Sequence, residues 1–357
     1  MKFKLGDIST IKGGKRLPKG EKLQEIRNNH PYLRIVDFDG FDFNKRNLQY
    51  VPNNVFEKIQ KYTISKDDIF LSIVGTIGIV ALIGDELDRA SLTENAVKIT
   101  VSNQVNKNYL YYFLQSQLGQ EQINSLSVGS TQKKLPIKNI KKIEIDLPSL
   151  AVQKGIAHKL RILDEKIKLN RKINDNLFEL AMTEFKRRFS TSGLGKISDY
   201  FLPKRGKNLL KKDVIAGNIP VVAGGLHPAA YHNQSNTQFP VITISASGAN
   251  AGYVQLWGEN VWSSDSSYID KSVTSNAFFW YLVLKSKQKQ IFDAQTGSAQ
   301  PHIYPKHIGN LQVPKYSDEE ISKFNSFISP LFNQVFQNNR ENRKLSILRD
   351  LLLNKYF

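Results

Sequence analysis

The chain contains no cysteine in 357 residues. That excludes disulfides, thiolate zinc sites and cysteine nucleophiles together. No two prolines are adjacent, so the Pro-Pro motif of amino-methyltransferases cannot be present. No Walker A run occurs, and Gly193-Leu194-Gly195 lacks the third glycine of a dinucleotide loop. His227 and His232, and likewise His302 and His307, have metal-compatible spacing only on a helix. Neither pair carries the Glu of a zincin motif, and Pro228 and Pro305 argue against helix there. The expectation is therefore no metal and no catalytic residue. Long apolar runs are also missing. The one uncharged stretch, Ile69 to Gly84, is shorter than the roughly 20 residues of a membrane span and is broken by Gly75 and Gly78. It reads as two buried strands around a glycine turn. The first eight residues show no export signal, so the expected setting is cytoplasmic, away from membranes.

Acidic residues are in short supply. Thirty-two Asp plus Glu face 50 Lys plus Arg, a net charge of +18. Such a balance favours polyanions as partners through steering and counterion release. A surplus of lysine that serves solubility alone is the plainer alternative.

What the chain has is a duplication. Ile156, Leu160, Leu163, Ile167, Asn170, Asn174 and Leu177 recur as Phe324, Ile328, Leu331, Val335, Asn338, Asn342 and Leu345, each 168 positions later. At the start of the repeat, Asp7 and Gly14 answer to Asp199 and Gly206 at a spacing of 192. The second copy therefore lacks about 24 residues in its middle, the difference between 192 and 168. Matching edges around unlike interiors suit one scaffold that presents two different reading surfaces.

Each copy mixes β-rich segments, Ile69 to Ile83 and Pro240 to Leu256, with a helix near its end. Asn108 to Leu118 and Asn276 to Ser286 are the helical candidates, and their aromatic stripes read first as core. Ile143 to Pro148 and Leu311 to Pro314 close the globular units, while Ser190 to Gly195 reads as a flexible joint.

Each copy ends in a long amphipathic helix. The apolar steps of four and three from Ile156 to Ile167 define a coiled-coil seam. Asn170 and Asn174, with Asn338 and Asn342, then occupy seam positions, where a polar residue fixes register at a cost in stability. In an antiparallel pair Asn170 falls opposite Asn342 and Asn174 opposite Asn338. A parallel pair would need the intervening unit to carry the chain back along the whole rod. A helix of about 36 residues is on the order of 54 Å long, enough to span two contacts about 34 Å apart on one face of B-DNA. An ordinary dimerisation coiled coil is the plain alternative.

The loops Gly129-Ser130-Thr131-Gln132 and Gly297-Ser298-Ala299-Gln300 stand 168 positions apart. Glycine permits close approach, hydroxyls bond phosphate, and a Gln amide pairs with adenine. A structural turn capped by its own hydroxyls is the competing reading. Basic residues flank both loops. The candidate DNA contacts are Lys12, Lys15, Arg16, Lys19, Ser130, Thr131, Gln132, Lys133 and Lys134 in the first copy, and Lys204, Arg205, Lys207, Ser298 and Gln300 in the second.

The tandem architecture, the Gly-Ser-Thr-Gln loop followed by Leu135, the Ile-Asp-Leu-Pro exit and the Asn-bearing helices resemble the specificity subunit of Type I restriction-modification systems. Ala299, where the first copy has Thr131, departs from the motif. The resemblance implies an α+β chain in which two target-recognition domains, 1–149 and 191–315, are joined by helical spacers, 150–190 and 316–357. The spacers would pack as an antiparallel coiled coil with a pseudo-two-fold arrangement. It further implies a non-catalytic subunit that reads a bipartite double-stranded DNA target and scaffolds two modification subunits, with restriction subunits as further partners. No cofactor is expected on this chain; S-adenosylmethionine belongs to the adenine-methylating modification subunit. The rival function is a basic coiled-coil interaction scaffold that never reads sequence.

Overall fold

The computed structural model describes residues 1–45, 48–130, 132–189, 194–297 and 300–357. It divides into two compact units, one of residues 1–167 with 343–357 and one of residues 168–342. The division falls inside both long helices, Leu150–Arg188 and Asp318–Tyr356.

In the first unit a four-stranded sheet runs in the order Ser9–Gly13, Ala96–Val101, Asp68–Ser72, Val80–Leu82. Alternate residues of its strands feed two cores, as the two-residue period of a strand requires. Ile69, Leu71, Val97 and Ile99 face the helices with Tyr109 and Phe113, whereas Phe70 and Ala96 face a second sheet with Phe43 and Leu92. Burial on both faces explains why the Ile69 to Ile83 stretch carries no charge. The second sheet runs Gln49–Tyr50, Pro31–Leu33, Ala90–Leu92, Thr63–Ile64.

The second unit repeats this plan. Its four-stranded sheet has the order Lys204–Arg205, Ser266–Ile269, Val241–Ser245, Val254–Trp257. Its other sheet keeps three strands, Ala230–His232, Ala216–Val222 and Trp262–Ser263. Among the described residues the helix Asn53–Ile59 and the strand Thr63–Ile64 of the first unit have no counterpart in the second, so the missing residues map onto shortened connections around the second sheet. In each unit a short closing strand returns to the unit's start: Glu144–Asp146 pairs with Lys2–Lys4, and Gln312–Val313 with Gly195–Lys196. The supposed joint before the second unit therefore ends in a strand at Gly195; Ser190 to Gly193 lie outside the described residues.

The helix expected over 108–118 is two helices, Lys107–Gln115 and Gln117–Ser125. Ser116 separates them with extended backbone (ψ 161°), and its hydroxyl accepts the Gly119 N–H at 3.2 Å as an N-cap. A Cβ on Gly119 would stand 2.1 Å from the Phe113 carbonyl oxygen, so only glycine permits this turn. In the second unit Ala277–Ser286 follows the expected span. Both aromatic stripes are core: Tyr112, Phe113, Phe279 and Trp280 are almost completely buried.

Within each unit the two long-helix segments run antiparallel. In the first, Asp164 meets Arg349 at 3.2 Å and Lys159 meets Tyr356 at 3.4 Å. In the second, Asn170 Nδ2 donates to Asn342 Oδ1 at 2.9 Å and Asn338 Nδ2 donates to Asn174 Oδ1 at 2.8 Å. Further along, Phe185 packs on Phe324. The later helix begins with a capping box, Ser317 and Glu320 bonding each other's backbone N–H at 3.2 and 3.0 Å. It continues through Pro330, whose missing N–H the sequence pattern had not taken into account.

Candidate nucleic-acid interface

Both glycine loops are closed by the same device. In the first unit Val128 and Lys134 exchange backbone hydrogen bonds of 2.8 Å each way. In the second Thr296 and His302 do so at 3.0 and 2.8 Å. Each pair of bonds closes the base of its loop. Gly129 (φ +104°) and Gly297 (φ +96°) start the loops in the left-handed region. A Cβ on either would fall 2.7 or 2.6 Å from the carbonyl oxygen of Gln132 or Gln300. Glycine is therefore required by the tightness of the turn, which supports the structural-turn reading of the motif without removing the exposed side chains around it. Ser130, Gln132, Lys133, Lys134 and Gln300 are all exposed. Thr131, Ser298 and Ala299 lie outside the described residues.

A second glycine turn stands against each loop. Val74, just before Gly75 (φ +78°), bridges Lys134, and Ser247, just before Gly248 (φ +79°), bridges His302. The sequence reading missed these turns as partners of the loops, because Gly75 and Gly248 stand at a spacing of 173 rather than 168.

The basic entrance segments join the same end of each unit. Gly14 and Lys15 donate backbone N–H to Ala96 O (3.1 Å) and Leu92 O (2.9 Å), and Gly206 and Lys207 donate to Ser266 O (2.8 Å) and Ser263 O (2.9 Å). The glycines are fixed by crowding: a Cβ on Gly14 would lie 2.1 Å from Thr93 O, and one on Gly206 2.5 Å from Ser264 O. From there Asn95 O accepts from Ile73 and Asp265 O from Ala246, so entrance segment, acidic loop, glycine turn and closed loop follow one another in both units. Lys12, Lys15, Arg16, Lys19, Lys204, Arg205 and Lys207 are all exposed. Lys12 lies across from Lys98 in the sheet, Lys15 sits 5.7 Å over the Tyr62 ring, and Lys204 donates to Ser272 Oγ at 2.7 Å.

Arg16 and Arg205 differ from these lysines. Arg16 Nε donates to Glu94 Oε1 at 2.7 Å, and Arg205 Nη2 to Asp265 Oδ1 at 3.0 Å. Partial burial opposes ionisation of Glu94. Hydrogen bonds, that from Arg16 foremost, outweigh it and hold the carboxyl below its ordinary range.

Neither histidine pair forms a helical ligand set. His232 lies in a strand with Nδ1 at 3.0 Å from the Ile215 N–H, and His302 lies in the bridge that closes the loop. Among the described residues no group of three or more His, Asp or Glu could hold a metal ion, and no helix is long and apolar enough to cross a membrane.

Residues 1–179 match the family model described as the Type I restriction modification DNA specificity domain. A type I specificity subunit of Mycoplasma genitalium is 25% identical over 322 residues, covering 84% of this chain and 83% of the relative. The MjaIX specificity subunit of Methanocaldococcus jannaschii is 21% identical over 406 residues, covering 99% and 91%. The crystal structure of a Type-I restriction-modification system S subunit from M. genitalium shares the fold with a TM-score of 0.60 at 22% identity, over 100% of this chain and 96% of that one. The chain belongs to the Type I restriction modification DNA specificity family, whose members are DNA-recognition subunits.

Proposed function

We propose that each compact unit reads one half of a bipartite double-stranded DNA target, and that the length of the two shared helices sets the number of unspecified base pairs between the halves. The chain performs no chemistry of its own. It scaffolds two modification subunits, which methylate adenine with S-adenosylmethionine, and the restriction subunits that act with them in the cytoplasm. The observation that carries this reading is the recurrence, in each unit by itself, of a closed glycine loop, a second glycine turn and an exposed Lys/Arg entrance linked by backbone bonds. Unlike interiors around a repeated frame fit two different half-sites. A net charge of +18 supplies the sequence-independent share of the affinity.

Competition binding tests it against the scaffold alternative. A DNA reader retains a specific duplex against a large excess of random DNA, by about 10³-fold or more. A basic scaffold loses both equally.

A further inference from the structure

Each unit holds one arginine of its entrance segment on a carboxylate, but from different positions in the repeat: by its backbone bond Asp265 matches Asn95, one residue beyond Glu94. Gly14-Lys15 and Gly206-Lys207 make the same backbone bonds and are therefore equivalent, yet arginine follows this pair in the first unit and precedes it, as Arg205, in the second. The carboxylates that receive them are built alike. One oxygen of Glu94 takes Arg16, while the other accepts from the Tyr32 and Thr93 hydroxyls, each at 3.2 Å. One oxygen of Asp265 takes Arg205, while the other accepts from the Ser247 hydroxyl on the glycine turn.

Stability does not account for the recurrence, since ion pairs this exposed are screened by solvent and contribute little. Phosphate binding does not account for it either. A guanidinium whose charge is offset by a carboxylate releases few counterions, and the carboxylate itself repels a phosphate. What a fixed carboxylate does supply is orientation. Among the described residues each guanidinium spends one N–H on its acid, and its planar fork retains four more donors, enough for a bidentate contact. Holding the fork in place before binding lowers the ordering cost of that contact.

We propose that Arg16 and Arg205 each read a guanine at its O6 and N7 edge in the major groove, one in each half-site, and that Glu94 and Asp265 are the positioning residues that aim them. This rests on the reading of the chain as a bipartite DNA reader, and it separates the two arginines from the neighbouring lysines, which contact phosphate.

The test is selection of bound duplexes from a randomised pool by the full chain, purified with the subunits it assembles with. Wild type is compared with Arg16→Lys, Glu94→Gln, Arg205→Lys and Asp265→Asn. Arg16→Lys keeps the positive charge and should relax one G·C position of one half-site by about 10- to 100-fold, leaving the other half-site and the salt dependence intact. Glu94→Gln should relax the same position less. Arg205→Lys and Asp265→Asn should do the same in the other half-site. The unaltered half-site reports that each variant is folded. Discrimination unchanged at every position, or affinity reduced uniformly for all sequences with a flatter salt dependence, overturns the assignment while leaving the bipartite reader standing. A wild-type selection without any sequence preference overturns both.

Discussion

Asn170 lies opposite Asn342 in the antiparallel helix pair and donates its amide to the Asn342 oxygen at 2.9 Å and to Glu341 at 2.7 Å. Asn170 is 1% exposed, so its amide has little water to turn to if the partner is lost. Asn170→Ala removes both bonds from the half-buried Asn342 and Glu341 acceptors and should lower stability by about 1–3 kcal/mol. Replacing both partners, Asn170→Leu with Asn342→Leu, should recover most of that loss, because apolar seam residues pack without a polar debt. Urea denaturation of the singles and the double checks this; strictly additive losses contradict it.

Asp164 forms a further polar link between the helices, bonded by Tyr112 at 2.8 Å and Arg349 at 3.2 Å. Its counterpart 168 positions on is Phe332, stacked on Phe278 at 5.2 Å, so the second unit solves the same junction with aromatic packing. Burial holds the Asp164 carboxyl above its ordinary value despite both partners. Arg349→Leu strands that charge and should cost about 2–4 kcal/mol at pH 7. A raised carboxyl favours the folded state at low pH and loses that advantage as pH rises through its value. The penalty should therefore be smaller near pH 4 than at pH 7, as denaturation at the two pH values would show.

Asp68 has the opposite sign. Burial works against its ionisation, but bonds from Thr100, from the Ser65 backbone and hydroxyl, and from Lys98 outweigh it and hold the carboxyl below 3.8. Its contribution is present above that value and is lost as pH falls through the folded one. Asp68→Asn should cost about 1–3 kcal/mol at pH 7, and the gap to wild type should close towards pH 3. A gap that stays constant contradicts the assignment.

Gly129→Ala forces a left-handed residue against the Gln132 carbonyl. The loop should open at a cost of about 1–3 kcal/mol, with weaker DNA binding. Lys133→Ala with Lys134→Ala should instead leave the fold intact, lower affinity for all sequences and reduce the slope of log affinity against log salt by up to about 2. Filter binding across salt concentrations separates the two effects.

The repeat, the aromatic cores and the facing asparagines were legible because a constant spacing of 168 ties each of them to a counterpart. Features that break that spacing were not. Ser116 interrupts the helix just after the aromatic stripe, in a Gln-Ser-Gln run that still reads as helical, since the break depends on Gly119 fitting against Phe113. Asp164 looks like a solvated helix position until Arg349, 185 residues away, and Tyr112 close over it. The acidic partners of Arg16 and Arg205 come from 78 and 60 residues downstream, distances that no local pattern encodes.

The most direct measurement is a genome-wide map of methylated adenines in a host with and without this gene. The account predicts a two-part motif with a fixed gap that disappears when the gene is removed. An unchanged map, or a motif with a single uninterrupted half, contradicts it.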